Sequence, residues 1–243
     1  MKNSSPNSES YTSLDATKII GTVERLSRRV GERFPESGLY QVAKQLLTLA
    51  HQAHQRSIYV ARPIYWIRIV IGLLIVFILL GIVGMVTTIA ALDIVVEFNF
   101  FELIQAVEAG INDIVFLGVG IFFLVTLENR YKRGRAIRAL NELRAVAHVI
   151  DMHQLTKDPE YVLRPGQATA SSPERTMTAH ELGRYLDYCS ELLALTGKLA
   201  ALYMQSFDDN VVLNSAGEIE DLTTGLSRKI WQKLMILHSY PGS

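Results

Sequence analysis

One run of the sequence limits the possible folds more than any other. Residues 69–92 read IVIGLLIVFILLGIVGMVTTIAAL, which is 24 residues without an ionisable group. A helix rises about 1.5 Å per residue, so about 20 residues cross the roughly 30 Å hydrocarbon core of a bilayer. A helix on the surface of a soluble domain carries polar residues on one face, and this run offers no such face. We therefore predict a first transmembrane span over about residues 66–92.

A second apolar run, IVFLGVGIFFLVTL at 114–127, has 14 residues and is too short to span by itself. Extending it back to Gly110 gives 18 residues and brings Asp113 into or near the membrane. The alternative is a buried helix of a soluble domain. Because a first span lies nearby, we favour a transmembrane hairpin whose second span covers about 110–128 and whose acidic loop covers 93–109.

Charge is balanced in total and uneven along the chain. There are 24 Lys and Arg residues and 24 Asp and Glu residues, which argues against a nucleic-acid partner. Residues 69–129 carry −6, with no Lys or Arg, and the remainder carries +6. Basic residues flank both spans, so the positive-inside rule predicts cytoplasmic termini and an inner-membrane location. The expected membrane-interface anchors are Arg62, Tyr65, Trp66, Arg68, Arg130, Lys132, Arg133 and Arg135.

Outside the hairpin, apolar residues recur at helical spacing. The predicted order is a disordered leader at 1–14, cytoplasmic helices within 15–62, the hairpin at 63–128, a cytoplasmic extension of the second span at 129–153, a linker at 154–177 and a C-terminal helical pair at 178–239. The apolar seams are Ile19, Val23, Leu26 and Val30; Leu39, Ala43, Leu46, Ala50 and Ala53; Ala136, Leu140, Leu143, Ala147 and Ile150; Leu182, Leu186, Cys189, Leu193, Ala200, Tyr203 and Phe207; and Ile219, Leu222, Leu226, Ile230, Leu234 and Leu237.

Two capping-box patterns mark the starts of the last two helices. Thr178 with Glu181 begins one, and Ser215 with Glu218 begins the other. Alternating strand patterns bounded by turn pairs are missing from the sequence. We therefore predict an all-α fold, in which the cytoplasmic helices from both termini form one bundle with the extension of the second span.

The candidate functional residues are acidic or polar and lie in or near the loop. They are Asp113, Asn112, Glu102 and Glu108. An ionisable group near the end of a span is a candidate functional residue, and rings of carboxylates select cations. On a continuous helix, Glu102 and Asp113 project about 20° apart. The alternative is that Asp113 is solvated among headgroups or caps the second span, and that residues 98–110 form an interfacial helix or extra turns of that span.

Enzymatic chemistry is not expected from this sequence. Its single cysteine, Cys189, excludes an intramolecular disulfide and a zinc site built on several thiolates, and it lies in an apolar seam. His51 and His54 have a spacing that metal ligands can use, but no local carboxylate completes the set. No catalytic set is recognisable, and no metal or cofactor is predicted.

The stretch RAIRALNELRAVAHVIDMHQLTKDP at 135–159 resembles a recurring segment of a bacterial family of two-transmembrane proteins of uncharacterised activity. That resemblance implies a membrane protein and brings no activity with it. The layout of cytoplasmic helices around a two-span hairpin is loosely similar to the SLATT family of predicted membrane effectors, which are linked to nucleotide signalling. The likeness is one of architecture, and no residue role is carried over from it.

Two functions fit these features. The first is a homo-oligomeric ion channel or pore in the lipid bilayer, with an acidic outer mouth that favours cations. The second is a membrane-anchored scaffold or sensor whose helical bundle recruits a cytosolic protein partner through residues 178–239.

Overall fold

The computed structural model describes residues 13–61, 65–91, 100–163, 170–172 and 176–239. Within these ranges helices are joined by turns and loops and there is no strand, which confirms the predicted all-α class. The helices are α1 (Ala16–Arg33), α2 (Gly38–Ala61), α3 (Tyr65–Ala91), α4 (Phe100–Leu155), α5 (Pro159–Leu163), α6 (Ala179–Ser206) and α7 (Asn210–His238).

The chain divides into two compact units. Unit 1 consists of Met1–Ala61 and Arg133–Ser243, and unit 2 consists of Arg62–Lys132. Unit 2 holds α3 and the first part of α4, and the rest of α4 belongs to unit 1. The expected leader at 1–14 lies almost wholly outside the described residues. Residues 93–99 of the expected loop lie wholly outside them.

In unit 1, α1 and α2 form an antiparallel pair joined by a tight turn. The Asp15 carboxylate accepts hydrogen bonds from the backbone N–H groups of Thr17 and Lys18, which fixes the start of α1. Phe34 ends α1, and the Ser37 hydroxyl donates to the Phe34 carbonyl at 2.8 Å. This turn satisfies backbone groups that helix ends otherwise leave without partners.

The helices α6 and α7 form a second antiparallel pair. At the start of α6, Thr178 and Glu181 make the predicted capping box, with both reciprocal hydrogen bonds present. The predicted start of α7 at Ser215 is wrong. The N-cap is Asp209, whose carboxylate accepts from Val211 N and Val212 N, so α7 begins at Asn210 and Ser215 lies inside it. The Asp209 carboxylate accepts hydrogen bonds from the first N–H groups of the helix. The helix therefore begins next to Asp209, upstream of Ser215.

Contacts between side chains fix the helix directions in unit 1. Hydrogen bonds between Leu14 and Gln205 and an ion pair between Arg29 and Glu191 make α1 antiparallel to α6. Three contacts at increasing positions on both helices make α4 parallel to α7. In chain order they are Arg133–Asp209, Arg144–Glu218 and Gln154–Lys233.

These directions give unit 1 two distinct ends. The entry end holds the points where the chain leaves unit 1 at Ala61 and returns at Arg133, together with the turn between α6 and α7. The far end holds the turn between α1 and α2, the last residues of α4, the start of α6 and the last turn of α7. Residues at the far end therefore come from distant parts of the sequence.

The core of unit 1 follows the predicted seams. Every predicted seam residue on α1, α2, α4, α6 and α7 is buried, except Leu222 and the C-cap residue Phe207, which are partly buried. Apolar burial on this scale stabilises a bundle by roughly 25 cal/mol per Å² removed from water. Cys189 is fully buried in this core, as its seam position predicts.

A short helix lies within the segment predicted to be a linker. α5 begins at Pro159, where the missing backbone N–H is harmless, and the Asp158 carboxylate accepts from Glu160 N at 3.1 Å. It packs against α6 and α7. Part of the predicted linker is therefore an element of the bundle.

Candidate functional site

The four candidate residues of the predicted outer mouth all belong to α4. This helix is continuous from Phe100, so residues 100–109 of the predicted loop are helical and join the second apolar run. At about 100° per residue, the backbone positions of Glu102 and Asp113 lie about 20° apart around the helix. Glu108 lies about 140° from Asp113, and Asn112 about 100° from it. The helix thus places two of the four positions on one face.

Asp113 lies on an exposed, largely apolar stretch of α4. Glu108, Asn112 and Asp113 are exposed, and the side chain of Glu102 lies outside the described residues. The large apolar side chains beside Asp113 are exposed too: Ile111 (56%), Ile114 (72%), Val115 (56%) and Phe116 (76%). A carboxylate in such surroundings needs water, a cation or a hydrogen-bond donor from another molecule.

Between residues 69 and 84, the described side chains of α3 are apolar on all sides of the helix. Its exposed large apolar residues are Ile69, Val70, Leu73, Leu74, Ile75, Val76, Phe77, Leu79, Leu80, Ile82 and Val83. Contiguous apolar surface of this kind marks a site of contact with a membrane or another protein. Across the described residues, no helix combines the length and the apolar character that a membrane span requires.

The predicted interface anchors have different environments. Arg62 lies outside the described residues, whereas Tyr65, Trp66 and Arg68 belong to α3 with side chains that are not described. On α4, the exposed or partly exposed side chains are Arg130, Arg133 and Arg135. Lys132 is only 6% exposed.

Arg133, another of the predicted anchors, forms an ion pair within unit 1. Its Nε and Nη2 atoms donate to the two carboxylate oxygens of Asp209 at 2.7 to 3.1 Å, a bidentate pair at the entry end. Burial alone would raise the pKa of Asp209, but hydrogen bonds from Arg133 and from the N–H groups of Val211 and Val212 outweigh it. The pKa of Asp209 therefore lies below its ordinary value, and the carboxylate stays ionised.

A cluster of arginines at the far end was not predicted from the sequence. Arg29 and Arg184 lie near the ring of Tyr188, with the two Cζ atoms 5.7 and 5.2 Å from its centroid. A hydrogen bond with Tyr188 raises the pKa of Arg184 further above its ordinary value. Arg33 completes the cluster around a surface depression of about 490 Å³. The cluster joins α1 to α6 across more than 150 positions of sequence, which local patterns do not reveal.

A second polar group at the far end surrounds Lys233. Its Nζ donates to the carbonyl of Gln154 at 2.7 Å, and burial lowers its pKa. The Gln154 amide donates to Asp151 at 2.6 Å, while its own Oε1 is buried and has no hydrogen-bond partner in the described part of the chain. Nearby, burial raises the pKa of the Cys189 thiol to about 12, so this thiol is neutral and a poor nucleophile at pH 7.

Within the described ranges, no three His, Cys, Asp or Glu side chains are grouped so that they could hold a metal ion. His51 and His54 lie on α2, the former exposed and the latter partly buried. The chain matches no family model, no curated protein and no solved structure. A function for this chain is therefore inferred from its residue geometry and its sequence pattern.

Proposed function

We propose that residues 63–128 form a two-pass hairpin in the cytoplasmic membrane, with both termini in the cytoplasm, and that several copies assemble into a cation-favouring pore. The observation that carries this proposal is the exposed apolar surface of α3. It coincides with the 24-residue run that has no ionisable group.

The energetic reason is the size of the apolar surface. Full burial of a Leu, Ile, Val or Phe side chain is favourable by roughly 1.5–3 kcal/mol. At least eleven such side chains on α3 are exposed in a single copy. Lipid removes this surface from water on all sides of the helix at once, whereas docking against one soluble partner covers one side only.

The path of the chain suits a hairpin. It leaves unit 1 at Ala61 and returns at Arg133, and both points belong to the entry end. Basic residues flank the hairpin on both sides, and none lies between Ile69 and Asn129. This asymmetry supports cytoplasmic termini and an outward-facing, acidic connection.

The pore proposal concerns Asp113 and its environment. A carboxylate among exposed apolar residues is unfavourable in lipid, and an oligomer relieves this if copies of α4 turn the Asp113 face towards a shared aqueous axis. Glu102 would then lie at a second level on the same face. Rings of carboxylates at two levels attract cations and repel anions.

Topology is tested with engineered cysteines. The natural thiol is first removed as Cys189→Ala, and a single cysteine is placed either in the outward connection as Glu97→Cys or on exposed α7 as Asn214→Cys. A membrane-impermeant maleimide added to intact spheroplasts should label the first variant, and the second only after lysis. Labelling of both before lysis, or recovery of the protein in the soluble fraction, would contradict the hairpin.

The pore is tested by reconstitution into planar bilayers. We expect Asp113→Asn to lower the cation-to-anion permeability ratio, measured from the reversal potential in a salt gradient, and Asp113→Glu to keep it. Glu108→Gln is the matched control, since Glu108 lies about 140° away around α4 and should have a smaller effect. Absence of conductance in every condition, with intact hairpin topology, would reject the pore and leave the membrane assignment standing.

A second candidate function is a membrane-anchored scaffold, which one surface of α7 favours. Trp231 and Met235 are 64% and 54% exposed and lie one turn apart. Trp and Met are enriched where proteins bind each other. A scaffold that uses residues 178–239 should retain a defined cytosolic partner, and Trp231→Ser should release it. Retention unchanged by Trp231→Ser, at normal folding, would reject this surface.

A further inference from the structure

Three guanidinium groups converge on one depression at the far end of unit 1. Arg29 and Arg33 come from the last turns of α1 and Arg184 from the second turn of α6, and Glu32 and Tyr188 complete the lining. The volume of about 490 Å³ is ample for a phosphate group and the atoms attached to it. We call these residues the arginine pocket.

Two of the three arginines are held in position by carboxylates beside the pocket. Arg29 Nη2 pairs with Glu191, and Arg184 Nη1 donates to Asp187 at 3.1 Å. Each of these contacts occupies one guanidinium nitrogen, and Arg184 also makes its hydrogen bond with Tyr188. A guanidinium has five N–H donors, so both groups keep donor capacity. Both groups also lie against the Tyr188 ring, which is 3% exposed and fixed in the core. The pocket is therefore pre-organised.

Arg33 is exposed, as is Arg29, whereas Arg184 is partly buried. Arg33 lies at the end of α1, and its charge acts on Glu181. The Glu181 carboxylate is itself engaged, since it accepts from Thr178 N at 2.8 Å and from Thr178 Oγ1 at 2.9 Å. Glu32 is the only carboxylate among the residues that line the pocket. An anion entering the pocket thus meets three guanidinium groups and the Glu32 carboxylate of the lining, while Glu191 and Asp187 are already paired beside it.

We propose that the arginine pocket binds a phosphate-bearing small molecule. Guanidinium groups match phosphate oxygens with paired N–H donors, and a tetrahedral phosphate offers enough oxygens for three such groups at once. A carboxylate ligand has two oxygens and so offers fewer acceptor sites to three guanidinium groups than a phosphate does. The proposal is independent of the membrane hairpin, because all of its residues lie in unit 1.

The test is calorimetric titration of the purified full-length chain with inorganic phosphate and with pyrophosphate, at constant ionic strength. Arg33→Ala should weaken binding about tenfold or more, because hydrogen bonds to charged groups are the strong ones. Arg25→Ala is the matched control: this exposed arginine of α1 contacts Thr22 and does not line the pocket. It should leave binding unchanged.

Arg33→Lys separates recognition from bulk charge. It keeps the charge and loses the planar fork, so weakening close to that of Arg33→Ala supports the pocket, whereas unchanged binding overturns it. Absence of saturable binding to phosphate, to pyrophosphate and to phosphatidic acid vesicles, or equal weakening by Arg25→Ala, also overturns it. Vesicles containing phosphatidic acid identify the source of the phosphate. Arg33-dependent binding to vesicles alone assigns a lipid phosphate, and binding of free phosphate assigns a soluble ligand.

Discussion

Asp209 connects the start of α7 to α4 through one carboxylate. It caps α7 and also forms the bidentate pair with Arg133, with its side chain only 9% exposed. Asp209→Asn keeps an acceptor for the cap and removes the charged pair, so we expect a loss of about 1–3 kcal/mol in the free energy of unfolding. Thermal denaturation measures this.

The control for Asp209 is Glu218→Gln, which breaks the other ion pair between α4 and α7. Its partner is Arg144, and the two side chains are 65% and 39% exposed. Pairs as exposed as this contribute about 0–1 kcal/mol. Equal losses from both substitutions would show that the Arg133–Asp209 pair contributes no more than the exposed Arg144–Glu218 pair.

Gly31 is required where α1 meets α2. A Cβ at this position would lie 2.6 Å from the Tyr40 ring, whereas one at Gly21 of the same helix would meet nothing within 4 Å. Replacing Gly by Ala in a helix is otherwise favourable by about 1 kcal/mol. We expect Gly21→Ala to raise the unfolding temperature and Gly31→Ala to lower it. A rise for both would mean that the Tyr40 ring moves away without loss.

At the scale of elements, the start of α6 offers a clear comparison. Thr178→Ala removes one half of the capping box and should destabilise unit 1 by about 0.5–2 kcal/mol. Ser215→Ala alters the serine of the second sequence pattern, which lies inside α7. Ala is the best helix former, so this change should be neutral or slightly stabilising in urea denaturation. If Ser215→Ala lowers the free energy of unfolding as much as Thr178→Ala does, Ser215 acts as a helix cap after all.

Helical seams were predictable because burial imposes a period of three to four residues on the sequence. Val23, Leu140 and Leu193 follow that period and are all buried. The start of α7 was misplaced because both Asp209 and Ser215 are good caps, and the choice depends on the Arg133 partner, which is 76 positions away. The arginine pocket was not predictable for the same reason. Its members share no local pattern, and only the antiparallel packing of α1 on α6 brings them together.

For the whole molecule, ionisable groups with shifted pKa values in unit 1 predict that stability falls towards both acid and alkaline pH. Among the described residues, four groups have a lowered pKa: Asp209, Glu181, His153 and Lys233. Since the unfolded chain binds protons more readily at each of them, folding loses stability as pH falls through their ordinary values. Burial and the charge of Lys157 disfavour the protonated form of His153 and lower its pKa from the ordinary value of 6.5. As pH falls below 7, His153 is therefore the first of these groups to reduce stability.

The alkaline side depends mainly on two groups with a raised pKa, Cys189 and Tyr185. Burial raises the pKa of the Cys189 thiol from 9.0 to about 12 and raises that of Tyr185 as well. The unfolded chain releases these protons first, so stability falls as pH rises above about 9. Lys233 opposes this trend, because its lowered pKa favours folding as pH rises towards its ordinary value of 10.5.

The unfolding temperature of the full-length chain should therefore be highest between about pH 7 and 9. Cys189→Ala should lower stability at pH 8, because it leaves a cavity, and should reduce the further decline between pH 9 and 11. His153→Gln should reduce the decline between pH 7 and 5 without changing the alkaline side. If Cys189→Ala shifts the whole profile downward and leaves its alkaline slope unchanged, titration of the buried thiol is not its cause, and Tyr185 alone must account for that slope.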